Sequence, residues 1–333
     1  AITGFLVADL GRNNGPNEST ALPRAHYDFL TLDTRNETVA VLKDKLDWQQ
    51  GSPWRDRVEL AGLGFDWPNV SLVHGFDHVL GYNPLRLKPI NDAVGARDTI
   101  AGPDQRVFTP LFPSYRSHLA NMMGLRFIAS PVPIEQVDAG LATGSLPLVA
   151  ITREAYVYEN AAALPRAVFV TNWQQADFDD LTRTGQWPQA FDPARTVLLE
   201  RGPRPIPLLI ASLDAGFAVA PPEPSTHPID VEGLIPNGAG SVNLPVYENT
   251  RVEIEVEAEQ AGFLVLFDAW HPWWRATVDG RPAEIHKADV LFRAVRVPAG
   301  THRVVMSFAP VAGAIAETAS RIRASSAASR SAP

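Results

Sequence analysis

The sequence predicts a mixed α/β (α+β) N-terminal domain followed by an antiparallel β-sandwich domain. Three observations predict it. Strand-like apolar runs alternate with helix-like segments over residues 1–200, the pattern of a sheet covered by helices. Composition changes at Arg201, where RGPRPIP and then PPEPSTHP are proline-rich, the mark of a connection. From about 222 to 310, strand patterns follow one another with turn residues between them and no helix pattern. The expected organisation is a domain over 1–200, a connection over 201–224, a sandwich over 222–310, and a C-terminal helix or disordered tail over 311–333.

Composition narrows the function classes. The 333 residues carry 29 basic and 37 acidic side chains, a formal net charge of −8. That balance argues against nucleic acid as a partner, since phosphate binding needs basic patches. There is no cysteine, which excludes disulfides, thiolate metal sites and cysteine nucleophiles. No apolar run approaches the roughly 20 residues of a membrane span. The sequence starts at Ala1 with no signal-peptide pattern before it, so a mature secreted protein or a piece of a larger one is expected.

In the first domain, Thr3 to Ala8 reads as a strand delivering Asp9, Arg12 and Asn14 into a Gly- and Asn-rich loop. Such a loop builds sites at sheet edges, or is a plain surface connection. Asn36 to Leu46 reads as a helix, with Asn36 as cap and Val39, Leu42 and Leu46 on one face. Arg57 to Leu63 reads as a strand, as does the stretch around WPNVSLVHGF. Pro113 to Gly124 reads as a helix capped by Ser114, and Leu125 to Ser130 as the strand after it. PIEQVDAGLATG and DFDDLTRTG are short helices; segments 146–151, 156–158, 167–171 and TVLLE are strands.

In the second domain, Val252, Ile254 and Val256 alternate with glutamates, a strand with one wet face. Phe263 to Phe267 is a continuous apolar run, as in a strand buried on both faces. Arg275 to Val278 is extended, and Asp279-Gly280 is a tight-hairpin dipeptide. Pro298-Ala299-Gly300 turns the chain again, into a strand whose Val304, Met306 and Phe308 face a core.

The stretch from Gly262 to Pro310 resembles the C-terminal soluble region of the YfhO-like bacterial membrane proteins. The residues that carry the likeness are Trp270, Pro272, Trp274, the hairpin Val278-Asp279-Gly280, Phe292-Arg293-Ala294-Val295, and Pro298-Ala299-Gly300 with His302. Trp273 stands where that pattern usually has glycine. GYNPLRL, MMGLRFIAS and YENAAALPRA resemble segments of the same family in the same order. The resemblance implies a polytopic parent protein, similar to glycosyltransferases that take sugars from polyprenyl-phosphate carriers. It implies that the catalytic acid lies in membrane-helix loops outside this chain. The chain would then be a non-catalytic extracytoplasmic (periplasmic) domain, anchored through the membrane-embedded part of its own parent. It would cover the membrane active site or hold the acceptor glycan or polyprenyl-phosphate sugar. The alternatives are a free-standing secreted carbohydrate-binding protein and an independent hydrolase using Asp9, Asp77 or Asp268.

Two constellations are candidates for binding. Asp268, Trp270, His271, Trp273, Trp274 and Arg275 crowd one turn. Flat aromatic faces beside hydrogen-bonding groups suit sugars, whereas the same aromatics also close a core. Asp9, Arg12 and Asn14 of the first loop, with Tyr82, Asn83, Arg86 and Arg116, form a second polar set above the first sheet. Arginine there suits bidentate capture of phosphate or carboxylate, while Asn83-Pro84 also reads as a turn. His74 and His78 lie four apart with Asp77 beside them, a spacing that suits a metal on a helix, but Gly75, Gly81 and the strand expected before them argue against a helix, so no metal and no cofactor is expected. The acids Asp177, Asp179 and Asp180 suit a helix start.

Overall fold

The computed structural model describes residues 3–4, 9, 24–46, 55–80, 87–95, 101–200, 240–315, 317–319 and 321. Among the described residues the chain has mixed α/β content with three β-sheets, some of them antiparallel. Among the described residues, no helix is long and apolar enough to cross a membrane.

The first sheet has the order β2-β1-β3-β5-β4, with β1 Arg57–Leu60, β2 Asp77–His78, β3 Leu125–Ser130, β4 Leu148–Ile151 and β5 Tyr156–Glu159. Strand β1 runs parallel to β2 and β3, while β5 is antiparallel to β3. One face of this sheet, through Val58, Leu60, Phe127 and Val157, meets Val39 and Leu42 of helix α1 (Glu37–Leu46). Asn36 caps that helix, its Oδ1 accepting from the Val39 N–H at 3.1 Å, as its position in the sequence predicts.

Four expectations change here. Thr3, Gly4 and Asp9 are helical, so Asp9 is not delivered by a strand. WPNVSLVHGF is a 3₁₀ turn over Trp67–Asn69 followed by helix α2 (Val70–His74). Pro68 suits a helix start, and Gly75, at φ 75°, ends it. After helix α3 (Lys88–Val94), helix α4 covers only His118–Met122, and its cap is Ser117, which accepts from the Ala120 N–H. Ser114 instead donates to Asp138 Oδ2 at 2.8 Å. The N-terminal half of the expected helix is held by that loop contact, because Asp138 also accepts from the Tyr115 N–H.

Helix α5 (Ile134–Val137) follows β3. Helix α6 (Phe178–Thr184) is capped by Asp177, which accepts from the N–H groups of Asp179 and Asp180 at 3.0 Å each. The acidic cluster is thus a helix start.

The six-stranded sheet has the order β6-β11-β15-β14-β8-β7. Its strands are β6 Ala167–Val170, β7 Asn172–Gln175, β8 Thr196–Leu199, β11 Gly262–Leu266, β14 Ile285–Ala288 and β15 Phe292–Val297. The third sheet, β13-β12-β16-β10-β9, is antiparallel. Its strands are β9 Gly240–Tyr247, β10 Arg251–Ala258, β12 Trp274–Val278, β13 Arg281–Ala283 and β16 Gly300–Phe308. All five residues of β11 are buried, as the unbroken apolar run predicts. Alternate residues of β11 face two different cores. Phe263 and Val265 join Leu125 and Ile128 of the first sheet, while Leu264 and Leu266 join Val252, Ile254 and Met306 of the third.

The expected boundary at 201–224 does not coincide with a break in hydrogen bonding. Strand β6 pairs with β11, Leu266 opposite Ala167, so one sheet draws strands from both sides of the proline-rich connection. Register between strands is decided by which apolar faces must be covered, and β6 and β11 each have two apolar faces to cover. The connection itself and the 322–333 tail lie outside the described residues; residues 310–315 are helical.

Candidate functional site

Strand ends bring the site together. Arg166 stands just before β6 and Asp268 two residues after β11; because these strands pair, the two side chains meet. Arg293 lies opposite Leu266 in the β11–β15 register, beside the same end. Arg57 opens β1, and Tyr247 closes β9.

Asp268 is the hub. Its Oδ1 accepts from Arg57 Nη2 at 2.7 Å and from Arg166 Nη1 at 2.9 Å. Arg293 Nη2 is 3.2 Å from Oδ2, and the Tyr247 hydroxyl is 2.9 Å from both oxygens. Arg166, with 1% side-chain exposure, also reaches Asp77 Oδ2 at 2.8 Å, and Arg55 lies 3.6 Å from that oxygen. Burial pushes the Asp268 carboxyl up, but Arg166, Arg57 and Arg293 outweigh it and hold it well below the usual carboxylate range. Burial, with Asp268 beside it, pushes the Tyr247 hydroxyl up to about 12. Burial lowers Arg57 and Arg293, and for Arg57 the neighbouring Arg166 charge adds to it.

A cavity of about 470 Å³ opens against this hub. Arg57, Tyr247, Asp268, His271, Trp274 and Arg293 supply its polar and aromatic wall, and Leu87, Ile90 and Phe308 line it as well. The Arg293 guanidinium lies over the Trp274 ring, 3.9 Å from its centroid. The arrangement is a concave, mostly apolar pocket with a few convergent polar groups, which is how small-molecule sites are built.

Of the residues expected around the tryptophan turn, Asp268, His271 and Trp274 line this cavity. Trp270, Trp273 and Arg275 do not. Trp270 is half-buried and donates its backbone N–H to Leu291 O at 2.7 Å. The Trp273 ring stacks edge-on to His271 and sits against Gly313. Arg275 is exposed and donates to Pro272 O and Trp274 O. In an extended strand neighbouring side chains point apart, so this turn splits its aromatics.

The second expected set is not assembled among the described residues. Arg116 is exposed and away from the cavity lining, Asp9 is on a helical residue, and Arg12, Asn14, Tyr82, Asn83 and Arg86 lie outside the described residues. His74 ends helix α2 with Nε2 2.8 Å from Phe29 O, while His78 in β2 meets the N–H groups of Leu60 and Leu80. Among the described residues no group of three His, Asp or Glu is placed to hold a metal ion.

Sequence reasoning missed Arg57, Arg166, Arg293 and Tyr247. A signal was present: LPRAVFV and LFRAV each set one arginine inside an apolar run. A charge on a buried strand needs a partner, so each announced a buried ion pair without saying with whom. Comparisons with family models, curated proteins and solved structures find no match for this chain.

Proposed function

We propose that the chain is the non-catalytic extracytoplasmic domain of a YfhO-like polytopic membrane protein, and that its cavity holds the acceptor glycan. The six- and five-stranded sheets contributing to one apolar core support the β-sandwich part of this reading. The observation that carries a binding role over a catalytic one is the state of Asp268. Arg57, Arg166 and Tyr247 donate to its oxygens and Arg293 is ion-paired to Oδ2, which occupies most of the acceptor capacity of a carboxylate. A base needs a free lone pair near the substrate, and Asp77 is likewise tied to Arg166. Trp274 and Tyr247 then offer the aromatic surface that sugar faces stack on.

Titrating the chain with a panel of oligosaccharides while following tryptophan emission tests the binding half. A saturable change that Trp274→Ala removes is expected; a flat response across the panel sinks it. Sequencing the native gene upstream of the Ala1 codon tests the membrane half. Successive apolar segments near 20 residues are expected, and a cleavable signal peptide directly before Ala1 would overturn it.

A further inference from the structure

We infer that the floor of this cavity is a site for an oxyanion group, a phosphate or carboxylate carried by the ligand, with Arg293 as its main contact. The inference rests on the binding role proposed above and names the chemistry of what is bound. Charge comes first. Arg55, Arg57, Arg166 and Arg293 are gathered around Asp77 and Asp268, and Arg55 is 36% exposed, so among the described residues three enclosed positive charges face two negative ones. Buried charge without a counter-charge is costly.

Hydrogen bonding gives the same answer independently. Asp268 engages Arg293 only through Nη2, and among the described residues Nε and Nη1 of Arg293 are buried with no hydrogen-bond partner. Arg293 is 3% exposed and lines the cavity. Guanidinium donors left over in this way match the paired oxygens of a phosphate or carboxylate.

The setting suits an anion on a larger molecule. Trp274 beneath the Arg293 guanidinium holds its plane in one orientation. Apolar Leu87, Ile90 and Phe308 would flank the rest of the ligand. The acid Glu248 also lines the cavity but is exposed, where solvent screens it.

The test uses the whole chain with its arginine side chains labelled with ¹⁵N. It is titrated at constant ionic strength with inorganic phosphate, glucose 1-phosphate, glucuronate and glucose. Glucose 1-phosphate or glucuronate should bind at least about tenfold tighter than glucose, the scale of a charge-assisted contact. The Arg293 Nε–H resonance should shift on binding. Arg293→Gln should lose that margin, and Arg275→Gln, outside the cavity, should keep it. If Arg293→Gln does not fold, the Nε–H shift in the unaltered chain decides. The margin of phosphate ester over uronate identifies which oxyanion is preferred. Glucose binding as tightly as its charged relatives, with Arg293 unmoved, overturns the oxyanion site and leaves the glycan reading standing. Equal shifts at Arg275 and Arg293 mean an ion atmosphere only and also overturn it. Phosphate moving Arg293 while no sugar adds affinity supports the oxyanion site and sinks the glycan reading. No binding by any of the four sinks both.

Discussion

Arg166 and Asp268, 102 positions apart in the chain, meet with Nη1 2.9 Å from Oδ1. The contact links the segment before the proline-rich connection to the one after it. It is also the most enclosed of the contacts that Asp268 makes, since Arg166 has 1% side-chain exposure.

Removing the hub charge should therefore cost far more than one hydrogen bond. Asp268→Asn keeps the shape but leaves Arg57, Arg166 and Arg293 without their common counter-charge. Breaking a buried ion pair from one side costs about 3–5 kcal/mol. Urea denaturation of the variant should show a loss of that size, and a loss under about 1 kcal/mol would mean that the cluster relaxes into water.

The pH dependence of stability should show two opposed windows. Asp268 titrates below its unfolded value, so its stabilisation is present above about pH 4 and is lost as the pH falls further. Asp289 is the reverse case. Burial pushes its carboxyl up to about 8, although Oδ1 accepts from the Leu198 N–H at 2.7 Å. Its contribution is full below about pH 4 and fades as the pH rises to about 8, by at most ~1.4 kcal/mol per unit. Asp289→Asn should flatten that upper slope and raise the melting temperature at pH 8 relative to the unaltered chain. An unchanged slope would place the Asp289 carboxyl in an ionised state throughout.

A second buried network is separable from the first. Glu59 Oε1 accepts from Arg106 Nε at 2.7 Å and from the Tyr115 hydroxyl at 2.8 Å. Tyr115→Phe should cost about 1.5–3 kcal/mol, the worth of a hydrogen bond to a charged group. Glu59→Gln should cost more, because Arg106 stays buried. The double variant with Asp268→Asn should be additive in denaturant midpoints, since the two networks share no partner.

Gly313 is held against Trp273: a Cβ there would stand 2.3 Å from the ring's Cγ. Gly313→Ala should push the C-terminal helical residues off the tryptophan, cost about 1–3 kcal/mol by overpacking, and red-shift tryptophan emission. Emission identical to the parent would mean that the ring yields instead.

Sequence alone determined the local elements whose cause is local. Asn36 and Asp177 cap their helices because side-chain oxygens reach N–H groups two or three residues on. Asp279-Gly280, with φ of 50° and 76°, turns a hairpin that sets Val278 opposite Arg281. The run Phe263 to Leu266 is a strand buried on both faces because nothing in it tolerates water. Asp268, His271 and Trp274 were legible as site candidates for the same reason: they share one short turn. Only the tertiary structure decided what those residues do. It placed Arg166 beside Asp268 by pairing β6 with β11, set Arg293 between Trp274 and that carboxylate, and turned Trp270 and Arg275 away from the cavity. It also ran one sheet across a connection that composition marks as a boundary. The physical reason is that a buried charge needs a partner of opposite sign. Strand register, which depends on which apolar faces can cover each other, selects which distant residue supplies it.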